Sequence, residues 1–180
     1  MPDSSLSDAI KEAYASAPAD IVILHTLELR HPTFVDDLGA PTSIWVVRDH
    51  ADLTARLEAS APVNGGEIVT FIALSFDLDL PPVDTVPVPE ISITLDNVDR
   101  AIIEALDGAA TSQDKIEVTY RPYLSTDLDG PQMDPPLTLV LTEAHADVMT
   151  VTARARMMDI GSKAFPAESY TATRFPGLTR

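Results

Sequence analysis

Ile91-Ser92-Ile93-Thr94-Leu95-Asp96, followed by Asn97 and Val98-Asp99-Arg100-Ala101-Ile102-Ile103-Glu104-Ala105-Leu106-Asp107-Gly108, is the stretch that decides the fold class. In its first six residues Ile91, Ile93 and Leu95 alternate with Ser92, Thr94 and Asp96, the period of a half-buried strand. The period then changes. Val98, Ala101, Ile102, Ala105 and Leu106 fall on one helical stripe, with Asn97 as its cap and Gly108 as its stop. A strand feeding one helix is predicted here, and the rest of the chain supplies mostly strands.

Upstream, Ile21, Ile23, His25, Leu27 and Leu29 share one side of a strand over 21–30, and 43–47 is a second candidate. Residues 52–57 read equally as a strand or a helical turn. Asn64-Gly65-Gly66 signals a hairpin, because the glycines supply positive φ. It leads into 67–80, the longest apolar run, whose first half reads as buried on both faces. Residues 81–89 hold four prolines and form an extended connector. Downstream, Ile116, Val118 and Tyr120 alternate, as do Leu137, Leu139 and Leu141. Met149, Val151, Ala153, Ala155 and Met157 alternate against Thr150, Thr152, Arg154 and Arg156. A polar loop, 125–136, separates the first two of these strands.

The N-terminal stretch reads as a helix. Ser5-Leu6-Ser7-Asp8 resembles a capping box, Leu6, Ile10, Ala13, Tyr14 and Ala17 share a face, and Pro18 ends it. A helix this short needs a docking surface, on its own domain or on a neighbouring subunit. At the other end, Phe165-Pro166, Tyr170-Thr171 and Phe175-Pro176-Gly177-Leu178 read as a closing segment, with rings plugging a sheet edge and prolines blocking further pairing. The expected architecture is mainly β. It is a β-sandwich or barrel of about seven to nine strands with one flanking α-helix and an N-terminal helix. The expected organisation is an N-terminal helical arm (1–19), a β-sandwich domain (20–160) containing a helix over 97–107, and an extended tail (161–180). With one helix between strands, a doubly wound α/β fold is rejected.

Composition narrows the function. The chain has 180 residues and a formal net charge of −16, from 28 acidic against 12 basic residues. It lacks the clustered cations that match nucleic-acid phosphates, and anionic membranes repel it. The absence of cysteine removes disulfides and thiol chemistry. Residues 1–19 show no signal-peptide pattern, and no run reaches the roughly 18 apolar residues of a membrane span. His25, His31, His50 and His145 lack metal-ligand spacing, and His25 reads as a core histidine with one satisfied nitrogen. Ser125-Thr126-Asp127-Leu128-Asp129-Gly130 is not a calcium loop, because its twelfth position is Pro136. Asp36-Asp37 and Asp77/Asp79 read as surface charge, and Trp45 as core. No nucleophile elbow, phosphate loop or dinucleotide fingerprint occurs. No catalytic, cofactor or metal residues are expected, and no enzyme activity. Arg154 and Arg156, on one strand face, are candidates to meet an acidic patch of a neighbour.

These residues resemble a family of phage-related minor tail proteins, catalogued as a domain of unknown function and found with the tail-tip and distal-tail genes of long-tailed phages. The resemblance rests on Leu27-Glu28-Leu29-Arg30-His31-Pro32 and on Phe71-Ile72-Ala73 running to Leu80-Pro81. It also rests on the ordered series Asp159, Phe165-Pro166, Tyr170-Thr171 and Phe175-Pro176-Gly177-Leu178. It spans roughly residues 21–178, with Gly161 where a polar turn residue such as Asn is expected. It implies a structural virion protein of a siphovirus tail, made in the bacterial host cytoplasm. Such a subunit forms a ring, a hexamer or a trimer, that joins the tail tube to the tip or hub. Its implied partners are further copies of itself and the tail-tube, hub and tape-measure proteins, with DNA passing through the lumen without specific binding. Leu6, Ile10, Tyr14, Arg154, Arg156, Phe165, Tyr170 and Phe175 are the expected interface residues. The alternative function is a carbohydrate-binding β-sandwich at the tail tip.

Overall fold

The computed structural model describes residues 6–18, 20–36, 38–79, 90–96, 100–147 and 150–157. In chain order the elements are α1 (Asp8–Ser16), β1 (Ile23–Val35), β2 (Pro41–Val47), β3 (Leu53–Arg56), β4 (Ile68–Ala73), β5 (Ser75–Asp79) and β6 (Glu90–Asp96). They continue with α2 (Arg100–Ala110), β7 (Glu117–Leu124), β8 (Leu137–Ala146) and β9 (Thr150–Met157). The nine strands form one mixed sheet in the order β3-β4-β2-β1-β7-β8-β9-β6-β5. All pairings are antiparallel except β2 with β4.

The long apolar run decides the shape. It is two strands rather than one, β4 and β5, separated by Leu74 alone. β4 lies second from one border of the sheet, and β5 forms the opposite border. In a flat sheet seven interstrand steps would put these strands about 34 Å apart. The link from Ala73 to Ser75 spans at most about 7 Å. The sheet therefore curls back on itself until its two ends meet at Leu74, whose amide donates to the Val47 carbonyl at 2.9 Å.

Curling produces two cores. Inside the curl, Leu27, Leu29, Val46, Phe76, Ile93, Leu95, Val118 and Leu139 pack with Ile102, Leu106 and Ala109 of α2. On the outer side of β1, β2 and β7, Leu24, Val47 and Tyr123 pack against Leu53, Ala55, Leu57, Val69 and Phe71. β1 and β7 are consequently buried on both faces, where alternation had exposed only one apolar side. The first half of the long run behaves in the opposite way. Val69 and Phe71 are buried, but Ile68 and Ile72 are 58% and 47% exposed, so this half is not covered on both faces.

Several boundaries differ from the sequence expectation. α1 is capped by Ser7 rather than Ser5: its Oγ accepts from the Ile10 amide at 3.2 Å and donates to Gln132 Oε1 at 2.7 Å. Residues 53–56 are strand, not a helical turn. α2 runs through Gly108 to Ala110, because Ala109 still packs in the core. β8 extends to Ala146, forming with β9 a ribbon that outreaches β7. The connector 81–89, Asn97 and the closing segment lie outside the described residues.

Phe71→Ala is expected to destabilise the protein by about 3–5 kcal/mol, while Ile72→Thr next to it changes stability by only about 0.5 kcal/mol or less. Urea unfolding of the two variants checks this; similar losses would contradict the assignment of faces.

Candidate functional site

The strongest concentration of polar chemistry is hidden. On the outer face of β1 and β7, Arg121 is fully buried and lies between two carboxylates. Its Nη1 donates to Glu28 Oε2 at 2.6 Å, while Nε and Nη2 donate to Glu58 Oε2 and Oε1 at 2.7 and 2.8 Å. Ser43 Oγ donates to the other Glu28 oxygen at 2.7 Å, and Thr26 Oγ1 donates to the Arg121 carbonyl. Burial works to lower the Arg121 pKa, but the hydrogen bonds and negative charge of Glu58 and Glu28 outweigh it and raise it.

Glu58 comes from the loop between β3 and β4, and the turn there aims it. Asn64 and Gly66 have φ of 54° and 75°. A Cβ on Gly65 would lie 2.8 Å from the carbonyl oxygens of Ala59 and Ala61, so only glycine fits. The Gly66 amide then donates to the Glu58 carbonyl at 3.0 Å, closing the loop over the sheet. Glu28 and Arg121 are fully buried, while the Glu58 side chain keeps 16% exposure. The work of the network is to fix the loop and the second core.

A second cluster joins α1 to the sheet. His25 Nδ1 lies 2.7 Å from Tyr120 Oη, and the two rings stack at 5.9 Å. Tyr14 is the other partner of the Tyr120 hydroxyl; burial first and Tyr14 second push that hydroxyl well above the usual phenol range. Burial, with the nearby Arg48 guanidinium, holds His25 below its ordinary pKa.

Three of the surface grooves among the described residues matter here. The first, of about 580 Å³, is lined by Arg30, His31, Pro41, Thr42, Lys115, Glu117, Arg156 and Met157. Arg30 pairs with Glu117 there, and its Nη1 has no partner among the described residues. His31 is buried within β1; its Nδ1 meets Thr33 Oγ1 at 2.7 Å and its Nε2 meets the Asp114 carbonyl at 3.3 Å. A neighbouring groove brings in Arg154, so Arg30, Lys115, Arg154 and Arg156 concentrate cations on one side of an acidic chain. The backbone register sets Glu90 opposite Arg156, and Glu143 lies 3.9 Å from Arg154. The opposite end of β1, β2 and β7 is acidic, with exposed Asp20, Asp49, Asp52, Asp127, Asp129 and Asp134. Asp127 also organises its own loop, accepting from Gln132 Nε2 and from the Asp129 amide.

The third groove, of about 510 Å³, is mainly apolar and lies between β2, β4, the end of β1 and α2. Trp45 borders this groove and packs against the outer core; it is only partly buried, and its Nε1 has no partner among the described residues.

The expected interface residues are thus dispersed. Ile10 is fully buried against Leu124 of its own chain and half-buried Leu6 packs beside it, so their contacts are internal. Tyr14 stands at the surface beside Tyr120. Arg154 is exposed and Arg156 half-buried at the cationic groove. Phe165, Tyr170 and Phe175 lie outside the described residues. Sequence reasoning missed the Glu28–Arg121–Glu58 network. The available signal was charge inside apolar strands: Glu28 between Leu27 and Leu29, and Arg121 between Tyr120 and Pro122.

The family model described as Domain of unknown function (DUF1833) matches residues 9–170. No curated protein matches the chain.

Glu28→Ala is expected to cost about 3–5 kcal/mol, since it leaves the Arg121 guanidinium buried with part of its charge uncompensated. Replacing Glu28, Glu58 and Arg121 together by Leu, Leu and Met should recover most of that loss. Denaturant titration of the single and triple variants checks this; a triple variant no more stable than Glu28→Ala would contradict it. His25 carries a pH signature as well. Its depressed pKa means that the unfolded chain takes up the proton first. Stability present above the unfolded value near pH 6.5 is therefore lost as pH falls through the folded value. Melting curves between pH 8 and 5 should show a smaller acid loss in His25→Gln than in the parent.

Proposed function

The chain belongs to the DUF1833 family, and from that premise we propose that it is a structural subunit of a phage tail. It assembles as a ring, hexameric or trimeric, that joins the tail tube to the tip or hub complex. In this reading the curled sheet is a β-sandwich or barrel of the tail-tube and distal-tail kind, and α1 is an arm already seated on its own domain. The support from sequence is the ordered series of motifs from Leu27 to Leu178.

One structural observation carries the proposal: apolar side chains of β4, the end of β1 and the β1–β2 turn stay exposed among the described residues. Val35, Ile68 and Ile72 are 54%, 58% and 47% exposed, Val35 and Ile72 line one groove, and Leu38 of the turn is exposed as well. Isolated apolar residues on a surface need no explanation, but exposed ones that share a groove suit a surface that a partner covers. In a cyclic assembly each such surface meets a different patch of the next copy, which closes the ring. The acidic end carrying Asp49, Asp52, Asp127 and Asp129 is the candidate lumen surface. Negative charge there repels DNA phosphate and keeps it from adhering during ejection.

A second reading draws on the cationic groove. Arg30, His31, Lys115 and Arg156 around about 580 Å³ suit a carboxylate-bearing carbohydrate, which fits a ligand-binding module of the tail tip.

Native mass measurement and negative-stain imaging across a concentration series test the two. Closed rings of six or three copies are expected. A protein that stays monomeric even with purified tail-tube and hub proteins, and that binds acidic oligosaccharide, would replace the first reading by the second.

A further inference from the structure

We propose that the apolar groove between β2, β4 and α2 is the seat for residues 158–180 of a second copy of the chain. This rests on the ring reading and names the contact that would close it. The groove is lined by Phe34, Val35, Ile44, Ile72, Ile102 and Ala105, and it is open. Val35 and Ile72 are about half exposed, which leaves apolar surface for an occupant.

The chemistry of the segment matches this seat. Residues 158–180 contain Phe165, Tyr170 and Phe175 at intervals of five, and each Phe is followed by Pro. Aromatic side chains in a desolvated apolar pocket carry much of an interface's binding energy. Proline favours an extended backbone and removes an amide that would lack an acceptor in such a groove, as in other proline-rich ligands that dock in aromatic-lined grooves. Charge agrees as well. The segment carries Lys163, Arg174 and Arg180 against Asp159 and Glu168, so it is net positive on a chain whose total is −16. Transfer of a cationic arm to an acidic neighbour is favoured and steered electrostatically.

Geometry places the arm at the right starting point. β9 ends at Met157, which borders the cationic groove together with Pro41 and Thr42. Thr42 also stands on the rim of the apolar groove. The arm thus leaves its own body beside the kind of site it fills on the next copy. Twenty-three extended residues reach at most about 80 Å, more than enough to cross between adjacent subunits. Head-to-tail exchange of this type is a heterologous contact that closes into a ring.

Trp45 is the only tryptophan and lines the groove, so its fluorescence reports occupancy. The experiment uses full-length protein: the parent, Ile72→Asp, and the double variant Phe165→Ala/Phe175→Ala. Trp45 emission and sedimentation are recorded together over a dilution series. The expected result is a Trp45 shift that tracks assembly, with assembly weakened about 30-fold or more in both variants. Synthetic peptide 158–180 should restore the Trp45 shift in the double variant but not in Ile72→Asp. Rings that form with unchanged Trp45 emission and tolerate Ile72→Asp would overturn the docking site and leave the ring reading standing. A Trp45 change in the double variant that is independent of concentration would overturn the second copy in favour of the chain's own arm. No assembly at any concentration, with no Trp45 change, would overturn both the seat and the ring.

Discussion

Arg121, held between Glu28 and Glu58, is the interaction on which the rest of the structure depends. A guanidinium at zero exposure is tolerated only when its charge is matched and its donors are used. Glu28 is supplied by the adjacent strand, where the β1–β7 register sets it two residues along from the pair Thr26–Arg121. Glu58 has to come from elsewhere, and it is delivered by a loop that folds over the sheet. That requirement explains the crowded glycine at 65, the shortness of β3 and the position of Leu57 and Tyr123 beneath the loop. The Tyr123 hydroxyl donates to the Arg56 carbonyl at 2.9 Å and ties the same loop down a second time. The outer core forms around this polar centre rather than in spite of it.

The other organising feature is the single-residue link at Leu74. By joining the two ends of the sheet it forces the curl, and the curl encloses α2 against the inner core. It also explains the surface. β4 is pinned between β2 and β3, so its odd-numbered side chains face the outer core while Ile68 and Ile72 face outward at the rim. The Arg48–Asp77 ion pair, at 2.9 Å, crosses the same junction from β2 to β5. Exposed, such a pair adds little stability. The closure itself is covalent.

Much of the fold was legible. The strand Ile91 to Asp96, the stripe of α2 and the Asn64-Gly65-Gly66 turn follow from local periodicity and backbone chemistry, which the sequence carries directly. The break at Leu74 was not legible, because no proline or glycine marks it: the run is continuously apolar and both halves are strands. Burial of β1 and β7 on both faces was hidden for a related reason. Their second faces carry Thr26, Glu28, Thr119 and Arg121, which read as solvent-facing until a loop distant in sequence covers them. Met157 alternates with the inward residues of β9, yet it is half exposed, because it lines the cationic groove. Of the surface residues, Arg154 and Arg156 were visible as a cationic pair, but Arg30 and Lys115 join them only through the folding of β1 beside the 111–116 loop.

These features describe a body with two buried cores and an apolar rim that stays exposed among the described residues. The buried ion network serves stability, and the rim is the surface we propose for assembly. Amide hydrogen exchange at low and high protein concentration tests this division most directly. The account predicts that β1 and β7 around Glu28 and Arg121 are strongly protected at both concentrations. Protection should rise with concentration along β4 and the β1–β2 turn. Exchange that is fast throughout β1 and β7 in dilute protein, or a rise in protection that spares β4, would contradict it.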